Sequence, residues 1–241
     1  MYNFQGIETS YDFTSVVTFA NGNTSSFHKV EHIYAQQEKQ DFSFTMKGST
    51  DETFDGKTPE DWAAIVLEFG KALYPINLSV SEQGDFMAVD DFEGVKQHWK
   101  DERQRLVDYY NNYWIEKESN RYALALKTEE KFYRTLKENM FYRLFFWREG
   151  QTDQQVVVRD FPLRARLSIF TFQGKSYDEK GGVCYDTYQV NDEGSGRLLG
   201  GHAKLQLYRD KDGLPNEIKL WARVEETDTG YFTKEITIKR I

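Results

Sequence analysis

The residues of this 241-residue chain that could do chemistry are four histidines, one cysteine and several adjacent carboxylates. His28 and His32 lie four apart in a run with strand character, so they point to one side, about 13 Å from each other along the axis. That is too far to share a metal ion. His98 and His202 are remote from them in sequence. Cys184 has no basic neighbour to stabilise a thiolate, which predicts an inert thiol, and as the single cysteine it excludes an internal disulfide. Carboxylates adjoin at Asp51-Glu52, Asp90-Asp91 and Glu225-Glu226. General acid–base work needs two such groups across a cleft with their pKa values pushed apart, and adjacency does not supply that.

Two partial motifs fall short of a ligand site. Gly174-Lys175-Ser176 has the end of a phosphate-binding loop, but Ile169 stands where that loop needs glycine, and a turn rather than a helix is expected next. Asp51, Thr53, Asp55 and Gly56 match the first half of a calcium loop. Its twelfth position, which should be a bidentate Glu, is Trp62, so an acidic turn over 51–57 is expected. These readings predict no metal, no cofactor and no catalytic residue.

Charge then narrows the partner. The net charge is -8, and residues 1–91 carry 5 Lys and Arg against 15 Asp and Glu, whereas 92–147 carry 11 against 9 and 148–241 carry 15 against 15. An acidic first segment repels nucleic acid and anionic membranes and favours a basic protein partner. With 18 Phe, 15 Tyr and 5 Trp, the chain has the apolar bulk to fold. The start as written shows no secretory pattern, and no run approaches the roughly 18 apolar residues of a membrane span, so a cytoplasmic protein without membrane insertion is expected.

Strand patterns occur at 15–19, 26–34 and 41–47, with Asn21-Gly22 as the first hairpin turn. In the second run His28, Val30, His32 and Tyr34 share one face and Phe27, Lys29, Glu31 and Ile33 the other. Neither is cleanly polar, so both faces are expected to be partly covered. Thr58 as cap and Pro59 at the first helical position start a helix whose stripe is Trp62, Ile65, Val66, Phe69 and Leu73, and Pro75 stops it. A short hairpin follows over 76–89, and Asp90 or Asp91 caps the next helix.

Phe92, Trp99, Leu106 and Tyr113 recur at seven, with Val95 and Tyr109 between, as the seam of one arm of an αα-hairpin. The second arm carries Tyr122, Leu126, Tyr133, Leu136, Met140, Leu144 and Trp147, and residues 141–147 are apolar enough to insert into the core. Six further strand patterns run from 155–159 to 231–240, separated by glycine-containing turns at 181–182, 194–196, 212–213 and 230.

The expected fold is α+β, with antiparallel meanders at both ends flanking a single helix, a short hairpin and a long central αα-hairpin. One continuous unit over 1–241 is preferred, made of a β-rich segment with one helix (1–91), a helical hairpin (92–147) and a meander (148–241). In shape alone, a curved antiparallel sheet against helices is similar to the bacterial lipoprotein carriers, and no residue is carried over from them. The expected function is non-enzymatic binding of a protein, as an adaptor, inhibitor or assembly factor. Tyr109, Tyr110, Tyr113 and Trp114 near the hairpin tip, with Asp51 and Asp55, are the expected contacts. Carriage of an apolar small molecule between sheet and helices, or an enzyme built from scattered residues, are the alternatives.

Overall fold

A computed structural model describes residues 6–38, 41–82, 84–147, 154–159, 161, 167–177, 180–192, 198–227 and 229–241. The turn at 194–196 lies outside them. The strands are β1 (Ile7–Thr18), β2 (Thr24–Glu38), β3 (Asp41–Phe54), β4 (Ile76–Val80), β5 (Phe86–Asp90), β6 (Gln154–Arg159), β7 (Leu167–Tyr177), β8 (Val183–Asp192), β9 (Leu198–Arg209), β10 (Pro215–Glu226) and β11 (Gly230–Arg240). The helices are α1 (Asp61–Lys71), α2 (Phe92–Tyr110), α3 (Tyr113–Ala125), α4 (Glu129–Glu138) and α5 (Met140–Phe145).

The eleven strands of the described residues form one antiparallel sheet in the order β5-β4-β3-β2-β1-β11-β10-β9-β8-β7-β6. The first and last strands pair, with Phe13 opposite Ile238 and Tyr11 opposite Arg240, so the two strand groups share the sheet. Alternation puts Tyr11, Phe13, Leu205, Leu207, Ile218, Leu220, Ile236 and Ile238 on one inner face, where all are buried.

The segment 140–147 sits against that face, as the sequence predicts for 141–147, with Phe141, Tyr142, Leu144, Phe145 and Trp147 buried. Phe145 meets Tyr11 of β1 at 5.0 Å, Phe146 meets Phe44 of β3 at 5.3 Å and Phe86 of β5 at 5.8 Å, and Trp147 meets Phe172 of β7 at 5.5 Å. Arg143 Nε donates to the Gln155 carbonyl of β6 at 3.1 Å. A flat sheet of eleven strands would be about 48 Å wide, and a six-residue helix is about 9 Å long. One short segment therefore reaches both edge strands only because the sheet curls around it.

Several local expectations change. The expected turn over 51–57 is a strand as far as Phe54, because Phe54 pairs opposite Phe27 with their rings 4.9 Å apart. Helix α1 begins after Thr58 and Pro59, with Glu60 at its cap position making no side-chain cap. Asp61 has φ of 49°, a break that leaves Thr58-Pro59 outside the helix, and Trp62 is 44% exposed rather than on the packed stripe.

The second arm of the hairpin is three helices, not one. Asn112 caps α3 through Trp114 N at 2.9 Å, Thr128 caps α4 through Lys131 N at 3.3 Å, and Asn139 caps α5 through Phe141 N at 2.9 Å. Each side chain offers the backbone a competing partner that restarts the helix in a new direction. Asp91, not Asp90, caps α2, through Gly94 N at 3.2 Å.

Gly174-Lys175-Ser176 lies inside β7 at a register shift rather than before a turn. Asp51, the start of the half-matched calcium loop, lies within β3.

Candidate functional site

The site begins with two charges on an apolar strand face. In β2, Phe27, Lys29, Glu31 and Ile33 alternate onto the inner side, and Glu31 is fully buried. Its Oε1 accepts from Lys29 Nζ, whose ammonium also lies 5.8 Å from the Phe13 ring centre and 5.7 Å from that of Phe141. The Tyr74 hydroxyl stands 3.5 Å from the same Oε1 and accepts from the Tyr142 hydroxyl at 3.3 Å. Glu31 Oε2 has no hydrogen-bond partner among the described residues. Burial, followed by the nearby Glu31 charge, raises the Tyr74 phenol well above its ordinary value, and burial does the same for Tyr142. Both remain neutral hydroxyls.

Strand β3 adds a second polar pair by breaking its own alternation. Two register shifts in the β2–β3 pairing place Met46, Ser49 and Glu52, three residues apart, on the inner side, where strict alternation would divide them. Asp51, with φ of 55°, sits at the second shift. Glu52 is buried, accepts from Ser49 Oγ at 2.8 Å and pairs with Lys71 Nζ of α1 at 3.0 Å. Desolvation works against the Lys71 charge, but the bond to Glu52 and the attraction of Glu52 and Glu68 outweigh it and raise its pKa.

Between these strands and the helices lies a cavity of about 260 Å³. Phe27 and Ile76 of the sheet, Leu67 and Leu73 of the α1 region, and Phe132 and Leu136 of α4 form its apolar wall. Lys29, Tyr74 and Tyr142 line it from the buried pair, and Ser49, Glu52 and Lys71 from the other.

The space exists because α1 spends its stripe elsewhere. Phe69 packs with Leu106 of α2 and Ile115 of α3 into a small second core, joined by Ile65, Val107, Tyr110 and Tyr122. The helical cap coheres with itself and leaves a gap above the sheet.

The sequence-predicted contacts fall into two separate places. At the α2–α3 junction the Tyr109 and Tyr110 ring centres lie 4.9 Å apart and those of Tyr113 and Trp114 5.6 Å apart, with Lys117 Nζ 4.9 Å from the Trp114 ring. Tyr109, Tyr113 and Trp114 are 78%, 71% and 59% exposed. Tyr109 thus leaves the expected seam while its neighbour Tyr110 packs on the second core, and Tyr113 leaves it because the helix breaks at Asn111, with φ of 43°, and Tyr113 opens α3.

Asp51 is exposed on β3 and Asp55 in the turn that follows it. His28 Nδ1 lies 3.0 Å from the Asp51 carbonyl oxygen, and Asp55 Oδ1 accepts from Ser26 N at 2.6 Å. Asp51 borders a crevice between β3 and α1 that contains none of the tip aromatics.

The remaining reactive residues are not gathered into one centre. His28 and His32 share the outer face of β2, where His28 pairs with Asp12 at 2.6 Å and His32 bridges Ser10 at 2.8 Å and Thr50 at 2.9 Å. The carboxylate thus meets the histidine that the serine does not. Cys184 is buried in β8.

Lys29, Glu31, Tyr74 and Tyr142 were not singled out from the sequence. The available signal was two opposite charges on the same strand face as Phe27 and Ile33.

The fold and cavity define a class: an α+β protein whose curled antiparallel sheet and helical cap enclose a mostly apolar space with a buried polar floor. No described helix is long and apolar enough to cross a membrane. No protein-family model matches the chain, and no curated protein does. Among solved structures it is similar to lipovitellin, in a study of lipid–protein interactions in that protein, at a TM-score of 0.45 and 10% identity. The match covers 98% of this chain and 25% of that one, so the chain spans about a quarter of that protein's length, and nothing about ligands is transferred from it.

A buried pair with one partner removed leaves a charge out of water, at about 3–5 kcal/mol, whereas apolar replacement of both is close to neutral. Lys29→Met or Glu31→Leu alone should each lower unfolding free energy by about that amount, and the double variant should recover most of it. Denaturant titration of the four proteins reads the cycle, and additive losses would contradict the assignment.

Proposed function

We propose that this chain binds a small, mostly apolar molecule in the cavity between β2–β4 and the helical cap. The observation that carries the reading is the cavity's composition: apolar walls with a few convergent polar groups, the usual make-up of a small-molecule site. Its 260 Å³ is just below the typical range of about 300–1,000 Å³, which favours a compact ligand. The apolar walls take the body of the ligand, and Lys29 and Tyr74 orient one polar group. The reading assigns no catalytic step.

An environment-sensitive naphthalene dye tests it. The expected result is saturable fluorescence enhancement with the wild-type chain and at least about tenfold weaker uptake by Ala125→Phe, which projects a ring into the cavity. Equal uptake by both proteins, or none by either, would contradict the reading.

A second reading, engagement of a protein partner, is supported by the exposure of three large aromatics on one helical tip. The acidity of residues 1–91 favours a basic partner. Replacing Tyr109, Tyr113 and Trp114 together by Ala should abolish recovery of a partner in affinity purification while changing thermal stability little. Undiminished recovery would sink it.

A further inference from the structure

A second cavity, of about 330 Å³, lies at the seam where α5 runs between the edge strands β5 and β6. Lys137 of α4, Arg143 of α5, Gln154 of β6 and Asp85 beside β5 bring polar groups to it, and the Tyr142 side chain lines both this space and the sheet–helix cavity.

Arg143 is the unusual member. Nε and Nη2 both donate to the Gln155 carbonyl, a neutral acceptor, and no carboxylate among the described residues lies within ion-pairing distance of the guanidinium. Desolvation lowers its pKa. Lys137 Nζ lies 4.3 Å from the Tyr133 ring centre and 5.9 Å from that of Phe86, again with no ion pair among the described residues. Asp85 also borders the pocket. Two half-buried cations beside a polar pocket, the guanidinium partly desolvated with a neutral carbonyl as its acceptor, are an arrangement that an added anion stabilises. Arginine offers a planar fork suited to two oxygens, and lysine adds a point charge.

We infer that the seam pocket is an oxyanion site, taking a carboxylate or phosphate group between Arg143 and Lys137. The inference does not depend on the carrier reading, because it needs neither the apolar cavity nor the tip.

Titration calorimetry and thermal unfolding with inorganic phosphate, acetate and sodium chloride at matched ionic strength test it. Saturable binding of phosphate, acetate or both, beyond the chloride effect, is expected, and the arm that responds identifies the anion. Lys137→Gln should weaken that binding about tenfold, the scale of one lost charge-assisted hydrogen bond, and Lys137→Arg should retain most of it. Arg143→Gln should abolish it. Because Arg143 also ties α5 to β6, the Lys137 pair decides wherever that variant loses its fold. A response equal to that of chloride, no response, or an unchanged affinity in Lys137→Gln would overturn the site.

Discussion

Burial of the 140–147 segment against the inner face of the sheet is the constraint on which the remaining architecture depends. Five of its eight residues are inaccessible to solvent, and its rings or backbone meet strands from both ends of the sheet. Large aromatics carry most of that contact, in edge-on and stacked pairs that add to the area they remove from water. Without the segment, the inner faces of β1, β3 and β7 would lose their cover and two edge strands would stand open to pairing with other chains. Curvature of the sheet, closure of its edges and the position of the seam pocket all follow from it.

The cavity arises from a second packing choice. Helix α1 turns Phe69 away from the sheet toward Leu106 and Ile115, so the cap forms its own small core and does not fill the space beneath it. Into that space the sheet presents Lys29 and, through a break in alternation, Ser49 and Glu52. Charges on an otherwise apolar face are costly, and places where a chain breaks a local rule of this kind tend to be functional. The cavity, the buried pair behind it and the bulged strand coincide, which is why binding of a small molecule is preferred here to binding at the exposed tip alone.

Much of the scaffold was legible in the sequence. The six C-terminal strands, the β4–β5 hairpin, the core role of 141–147 and a helix cap at Asp90 or Asp91 follow from alternation, turn residues and side-chain capping, which act over a few residues. What failed were features set by distant partners. Residues 51–54 look like a turn until Phe54 meets Phe27. The cavity was foreseen only as a general space between sheet and helices, and its residues were missed because Lys29 and Glu31 read as ordinary strand charges. Their pairing with Tyr74 and Tyr142 joins positions far apart in the chain, through contacts that periodicity does not encode.

The central claim, that the sheet–helix cavity is a binding site, is tested most directly by native mass spectrometry of the chain purified gently from its source. The account predicts a bound organic species that survives transfer from solution, is lost on denaturation and is absent from Ala125→Phe prepared in the same way. The bare chain mass for both proteins, or the same bound species on both, would contradict it.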